Sequence, residues 1–232
     1  MHKKTKAIIN TTTFVILITL LIISTFLFHF QSLLYDIDFY DNEYEKNGIY
    51  IKFDKLETWK NTFALWDYMK SNTDTINTDF FSEKDKLHMI DVRNLINKTI
   101  LTYYVTGTIF ILLAIIYCKI YGIQKLSKIL IYTGSSIILL LVLAAILSPI
   151  FQHLFILFHK IFFTNDLWLL NPNIDNLINL YPQQFFKDFT TSIIIHSSIC
   201  ALLYLGIGLF LTKHLNHNKS KNKGWLSEMS LL

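Results

Sequence analysis

The chain has 232 residues, of which 52% are hydrophobic, and it contains only 7 Gly and 3 Pro. Its apolar residues come in long uninterrupted blocks, which excludes an ordinary soluble domain whose apolar residues recur periodically. The formal net charge of +4 is the sum of basic and acidic segments that are separate in the chain, so it does not indicate nucleic-acid binding.

Four apolar blocks reach ~20 residues, the length that a helix needs to cross a hydrocarbon layer of ~30 Å. They predict transmembrane helices at residues 7–30, 100–121, 129–150 and 190–212. The first block follows a lysine-rich start, as in a signal peptide. Because the block is too long for a cleaved signal and no small-residue cleavage motif follows it, we expect an uncleaved signal anchor.

The placement of the lysines predicts the orientation of these helices. Lysines are frequent in the N-terminal tail, in the link at 122–128 and in the tail at 213–232, and short loops with such lysines lie on the cytoplasmic side. Every Asp and Glu except Glu228 lies in the two longer segments, 31–99 and 151–189. We therefore expect both termini in the cytoplasm and both longer segments on the outer face of the membrane.

The segment 31–99 is long enough to fold by itself and is rich in aromatic residues. Apolar and polar residues alternate over 35–39 and less cleanly over 49–53, which is typical of half-buried strands, and Asn47-Gly48 is a turn signal. We expect a small antiparallel sheet there. The sequence therefore predicts an α-helical polytopic membrane protein with four transmembrane helices and a small extracytoplasmic β-containing domain between helices 1 and 2.

Two helix boundaries are marked beside the membrane segments. Ser82 and Asp85 have capping-box spacing, which predicts that a helix begins there and leads into the second span. The third block is almost continuously apolar from residue 129 to residue 163, which as one helix would measure ~50 Å and exceed the bilayer. Pro149 offers a break, so we expect an interfacial helix and then a compact loop within 151–189.

His88 and His159 are the candidates for chemistry. His88 has Asp91 at i+3 on the same helical face, where a carboxylate can orient an imidazole and stabilise its cation. His159 lies among phenylalanines, where a neutral imidazole resists protonation and stays available as a base. Two such imidazoles in one interfacial pocket would suit acyl transfer on a lipid, because one can take a proton while the other stabilises charge.

Two stretches of the chain carry a family resemblance. EKDKLHMIDVRNLI at residues 83–96 contains a His-x-x-Asp-Val motif, and FHKIFFTNDLWLLNPNIDNLINLYPQQFF occupies residues 158–186. In these stretches the sequence resembles the two outer signatures of the bacterial lipoprotein intramolecular transacylases, the Lit family. The order of four spans with both signatures outside agrees across nearly the whole chain.

The resemblance implies an acyltransferase of the bacterial cytoplasmic membrane that needs no cofactor and no metal. Its substrate would be the N-terminus of a diacylated lipoprotein, in contact with membrane lipid, whose first Cys carries a diacylglyceryl thioether. The sn-2 acyl chain would move to the α-amino group of that Cys. An enzyme nucleophile is not required, and the chain contains no G-x-S-x-G motif.

The resemblance also implies roles for particular residues. His88 and His159 match the family's catalytic pair, in which one histidine is the base and the other assists the oxyanion or the departing oxygen. Either histidine fits either role. Asp91 would orient His88, while the remaining residues would shape the pocket or brace the loop, and these are Asn165, Trp168 and Asp175.

Two other functions are compatible with the sequence. A membrane metalloenzyme would use His88, His153 and His159, although the six-residue spacing of the last two places them ~240° apart around a helix. A non-enzymatic sensor or assembly factor would bind a partner through its extracytoplasmic domain. A transporter fits less well, because the four spans carry almost no charge.

Overall fold

The computed structural model describes the backbone of residues 3–229 and the side chains of residues 4–217, so the predicted tail at 213–232 lies partly outside the described residues. The described chain contains nine α-helices, one 3₁₀ turn and no strand. The helices are α1 (Lys3–Leu33), α2 (Ile37–Lys46), α3 (Ile49–Lys52), α4 (Lys55–Met69), α5 (Glu83–Tyr121), α6 (Gln124–Leu147), α7 (Phe151–Phe162), α8 (Leu177–Leu180) and α9 (Gln183–Met229).

Within the described residues, four stretches of helix are long and apolar enough to cross a membrane, and they contain the four predicted spans. These stretches are Lys4–Leu33, Glu83–Tyr121, Gln124–Phe162 and Gln183–His217. The chain is therefore a multi-pass membrane protein. A 3₁₀ turn at Ser148–Ile150 interrupts the third stretch, as Pro149 predicts, because proline has no backbone N–H to continue the helical hydrogen bonds.

The predicted β-containing domain in 31–99 is wrong, because both segments that were expected to be strands are helical. The Asp36 side chain accepts a hydrogen bond from the backbone N–H of Phe39 at 2.8 Å, and this N-cap begins α2. Asn47-Gly48 does form a turn, with Gly48 at φ +69°, but the turn joins α2 to α3 instead of joining two strands.

One compact unit of the chain consists of Phe28–Thr102 and Ile146–Ile193. Eight of the 18 buried residues in its core are aromatic. The hydroxyl of Tyr44 lies 2.7 Å from Oγ1 of Thr62 and donates to the hydroxyl of Tyr181 at 3.1 Å. Burial raises the pKa of Tyr181 to about 12, so this phenol stays neutral and serves as a hydrogen-bonding group inside the core.

The other compact unit is formed by three stretches, which are Met1–Leu27, Tyr103–Ala145 and Ile194–Leu232. Within this unit, α6 and α9 approach closely at two glycines. A Cβ on Gly134 would lie 2.6 Å from the carbonyl oxygen of Ala201, and a Cβ on Gly208 would lie 2.8 Å from that of Ser127. Such close backbone approach at small residues drives helix association in membranes, where lipid tails are as apolar as the helices.

We expect Gly208→Ala to lower the free energy of unfolding by about 1–3 kcal/mol, because the added methyl group would overlap backbone atoms of α6. Gly206 on the same helix has open space where its Cβ would lie, so Gly206→Ala is the matched control and should not destabilise the protein. Thermal unfolding of the purified protein in detergent measures both variants. Equal melting temperatures for the two would contradict the close packing of α6 and α9.

Candidate active site

His88 lies in the second turn of α5, whose start is fixed by a reciprocal cap. The backbone N–H of Asp85 donates to Oγ of Ser82 at 3.0 Å, and the backbone N–H of Ser82 donates to Oδ2 of Asp85 at 3.1 Å. The predicted capping box is thereby confirmed, and it determines which face of the helix carries His88. The His88 side chain is 6% exposed, and its buried Nδ1 has no hydrogen-bond partner among the described residues.

His159 lies in the last turn of α7 and is the one buried residue of that helix, with 8% of the residue exposed. The large apolar side chains beside it point outward, and Ile161 and Phe162 are both more than half exposed. A helix that exposes its apolar residues and buries an imidazole is the reverse of a soluble helix. This arrangement suits a lipid environment around a polar site.

The backbone of α7 assigns the tautomer of His159. Its Nδ1 lies 2.7 Å from the carbonyl oxygen of Phe155, one turn earlier in the helix. Since a carbonyl oxygen can only accept a hydrogen bond, Nδ1 carries the proton and donates it. The neutral ring therefore keeps its lone pair on Nε2, where it is available to take a proton.

The structure brings the two histidines together. Their ring centroids are 6.2 Å apart with an angle of 34° between the ring planes, although the residues are far apart in the chain. Both residues belong to the unit that contains Phe28–Thr102 and Ile146–Ile193. A small group of atoms can therefore contact both imidazoles at once.

Aromatic rings form the walls around this pair. The Phe163 ring contacts both imidazoles, with centroid distances of 5.1 Å to His88 and 5.5 Å to His159. The Trp168 ring lies 5.0 Å from the His159 ring at an angle of 33°. Phe155 and Phe158 pack against His159 as well, at 4.4 Å and 5.4 Å. Aromatic rings therefore pack against both imidazoles.

Electrostatics limits the charge that this pair can carry. Two cationic imidazoles at this separation, shielded from water by aromatic rings, would repel each other strongly. The pair His88 and His159 therefore holds at most one added proton at a time. One ring can accept a proton while the other stays neutral and donates a hydrogen bond, which is the division that acid–base catalysis needs.

Asp91 interacts electrostatically with His88, but its side-chain hydrogen bond goes to another residue. Its Oδ2 accepts a hydrogen bond from the Asn165 side-chain amide at 2.9 Å, and no hydrogen bond joins Asp91 to His88 in the described structure. Oδ1 of Asn165 in turn accepts from the backbone N–H of Leu167 at 3.1 Å. Asp91 thus ties α5 to the 163–182 loop, which joins α7 to α9.

Asp175 is buried in the same loop. Its Oδ1 accepts from Oγ of Ser82 at 2.6 Å, and its Oδ2 accepts from the backbone N–H of Asn171 at 2.7 Å. These bonds join the loop to the residue that caps α5. The residue braces the loop, whereas Trp168 forms a wall of the pocket.

Sequence reasoning missed the wider role of Asp85. The cap spacing indicated its position at the start of α5, but its Oδ2 also accepts from the backbone N–H groups of Asn176 and Leu177, at 3.0 Å and 3.2 Å. The Asp that stands where a capping box usually has Glu or Gln indicated only the cap itself. The contacts across about 90 residues carried no sequence signal.

The metalloenzyme alternative has no geometric support within the described residues. No group of three or more His, Cys, Asp and Glu side chains there is placed to hold a metal ion. His153, the third ligand in that hypothesis, is exposed on α7. Only His88 and His159 of its three histidines face each other.

Solved structures of the membrane integral lipoprotein intramolecular transacylase Lit from Bacillus cereus have the same fold as this chain. One has a TM-score of 0.80 and 22% sequence identity, over 91% of this chain and 99% of that chain. Two variants of that protein, with a histidine replaced by arginine or alanine, match with TM-scores of 0.78 and 0.76, at 21% and 22% identity. They cover 93% and 92% of this chain and 97% and 98% of theirs.

A comparison with curated protein sequences finds no match. The family model described as "Lipoprotein intramolecular transacylase Lit" matches residues 10–186. This range covers most of the chain and contains both histidines, the start of α5 and the whole 163–182 loop. The chain therefore belongs to the lipoprotein intramolecular transacylase Lit family.

Proposed function

We propose that this chain transfers the sn-2 acyl chain of a diacylglyceryl-modified lipoprotein to the α-amino group of the lipoprotein's N-terminal Cys. The observation that carries the proposal is the buried pair His88 and His159, whose ring centroids are 6.2 Å apart in a membrane protein of this family. The product is an N-acyl lipoprotein that keeps one acyl chain on its glycerol, the lyso form.

The reaction balances within the substrate. The amine nitrogen attacks the ester carbonyl carbon, a C–N bond forms, and the bond from that carbon to the sn-2 oxygen breaks. One proton leaves the nitrogen and one proton joins the departing oxygen, so neither water nor an enzyme nucleophile is consumed. Because amine and ester belong to one molecule, their high effective concentration already lowers the barrier.

The hydrogen bond of His159 to the helix backbone favours His159 as the base. Its Nε2 lone pair takes the proton from the substrate nitrogen, while Nδ1–H keeps its bond to the Phe155 carbonyl and stabilises the resulting imidazolium. His88 then stabilises the oxyanion or returns a proton to the departing oxygen. The buried Nδ1 of His88 supports this role, because no described residue uses its hydrogen-bonding capacity.

The outer surface of α7 supports a substrate that stays in lipid. Leu157, Ile161 and Phe162 are each more than half exposed next to the buried imidazole. Acyl chains can lie against such apolar side chains in the membrane while the polar head of the lipoprotein reaches the histidines. The partners in this proposal are the diacylated N-terminus of a lipoprotein and membrane lipid.

The lysine distribution supports the orientation of the enzyme. Lysines flank the ends of the spans in the N-terminal tail, in the link at 122–128 and in the C-terminal tail. Both termini then lie in the cytoplasm of a bacterium, and the histidine pair lies at the outer face of the cytoplasmic membrane.

The supporting residues hold the pocket in this mechanism. Asp91 and Asn165 join α5 to the 163–182 loop, and Asp175 joins the loop to the cap of α5. Trp168 covers one face of His159. These contacts orient the imidazoles without touching the reacting atoms.

Replacement of either histidine tests the proposal. We expect His88→Asn and His159→Asn each to lower product formation by about 100-fold or more, the usual contribution of general acid–base catalysis. The chain is expressed in a bacterium whose lipoproteins are diacylated, and N-terminal lipopeptides are analysed by mass spectrometry. Wild-type chain should give N-acyl, S-monoacylglyceryl Cys, and the two variants should leave the diacylated form.

His153→Asn is the matched control, because His153 is exposed on the same helix as His159. This variant should retain activity. If His153→Asn were inactive, as well as His88→Asn and His159→Asn, the three histidines would be indicated as metal ligands. Unchanged lipopeptides at good expression of the wild-type chain would reject the transacylase. A cellular phenotype that survives loss of both histidines would then indicate a sensor or assembly factor.

Asp91 and Asn165 should act as one unit. We expect Asp91→Ala and Asn165→Ala each to slow the reaction by about fivefold, the effect of losing one hydrogen bond worth about 1 kcal/mol. The double variant should be no slower than Asn165→Ala, because that variant already lacks the bond to Asp91 and also the bond to Leu167. Initial rates in membranes measure this, with Asp166→Ala as the exposed neighbouring control. Multiplied effects in the double variant would exclude the coupling.

A further inference from the structure

Asp85 is a fully buried carboxylate in the first turn of α5. Its Oδ2 accepts three hydrogen bonds from backbone N–H groups. One comes from Ser82 in the cap of α5 at 3.1 Å, and two come from Asn176 and Leu177 in the 163–182 loop at 3.0 Å and 3.2 Å. A single oxygen therefore holds the start of a long helix and a distant loop together.

A second buried carboxylate reinforces this junction. Oγ of Ser82 accepts from the backbone N–H of Asp85 at 3.0 Å and donates to Oδ1 of Asp175 at 2.6 Å. Asp175 is 3% exposed and also accepts from the backbone N–H of Asn171 within the loop. The two carboxylates thus share one serine and fasten the loop at two places.

Such a junction is costly if it serves stability alone. A buried carboxylate loses its hydration, and an apolar side chain of similar volume often stabilises a fold as well or better. A network of directional hydrogen bonds instead selects one arrangement of the backbone. The gain from Asp85 is therefore a fixed geometry between α5 and the loop.

That geometry determines where the imidazoles lie. His88 follows Asp85 by three residues on α5, and the loop that Asp85 holds also carries Trp168, which packs on the His159 ring at 5.0 Å. We infer that Asp85 is a positioning residue of the active site, which holds the loop against α5 so that His88 and His159 face one substrate group. The inference rests on the proposed transacylase function.

Two substitutions of Asp85 separate its hydrogen bonds from its charge. Asp85→Asn keeps an oxygen that can accept from the loop, whereas Asp85→Ala removes every acceptor. We expect kcat to fall about tenfold in Asp85→Asn and about 100-fold in Asp85→Ala, since a displacement of about 1 Å in a catalytic group has effects of this size. KM for the diacylated lipoprotein should change less than twofold, because the apolar surface of α7 remains.

The control is Glu83→Gln, an acid of the same helical turn whose side chain is 86% exposed and pairs with Lys86. It should match the wild type in kcat. Initial rates with a purified diacylated lipoprotein are measured over a range of substrate concentrations, in lipid, and are normalised to folded protein from thermal unfolding.

Three results would overturn the inference. The first is wild-type kcat in Asp85→Ala, or in Asp85→Asn if Asp85→Ala does not fold. The second is a loss of rate that is fully explained by less folded protein, and the third is a rise in KM without a fall in kcat. Absence of N-acyl product from the wild-type chain would reject the transacylase function itself, together with this inference. If the wild-type chain is active and the Asp85 variants have the same kcat, only the positioning role is rejected.

Discussion

The buried imidazole pair depends on hydrogen bonds between the first turns of α5 and the 163–182 loop. His88 lies on α5 among the residues that make these bonds, and His159 lies on the helix that leads into the loop. The role inferred for these bonds is to keep the two rings facing each other. Four of these bonds join residues that are 74 to 93 positions apart, and they are Asp91–Asn165, Asp85–Asn176, Asp85–Leu177 and Ser82–Asp175.

The parts of the fold that follow from local composition could be predicted from the sequence. Apolar blocks of ~20 residues rarely do anything other than cross a membrane. Pro149 lacks a backbone N–H donor in any environment, so it interrupts the helix whether or not that helix lies in the membrane. The prediction of a sheet in 31–99 was wrong for a local reason too. Alternation over five residues is too short to distinguish a strand from a helix. The buried residues of α2 are Tyr40, Glu43 and Tyr44, whose spacing follows the helical period.

The same difference between local and distant information in the sequence applies to the site. The chemistry of His88 and His159 and the family resemblance were enough to select both histidines, and the structure places their rings 6.2 Å apart. The partner of Asp91 was not predictable, because i+3 spacing places His88 nearby but cannot reveal a competing amide that is 74 residues away. The loop contacts of Asp85 were hidden for the same reason. The catalytic roles of His88 and His159 stay predictions until their variants are measured.

Burial of the imidazoles also bears on which reaction the pair supports. An ester that an amine can attack is open to attack by water as well, and two wet imidazoles would activate water as readily as an amine. His88 and His159 are only 6% and 8% exposed, and aromatic rings enclose them. In such a pocket the tethered α-amine is the nucleophile closest to the ester, because bulk water is kept out. In the proposed reaction the aromatic walls would therefore do more than hold the rings in place, since they would favour transfer of the acyl chain over its hydrolysis.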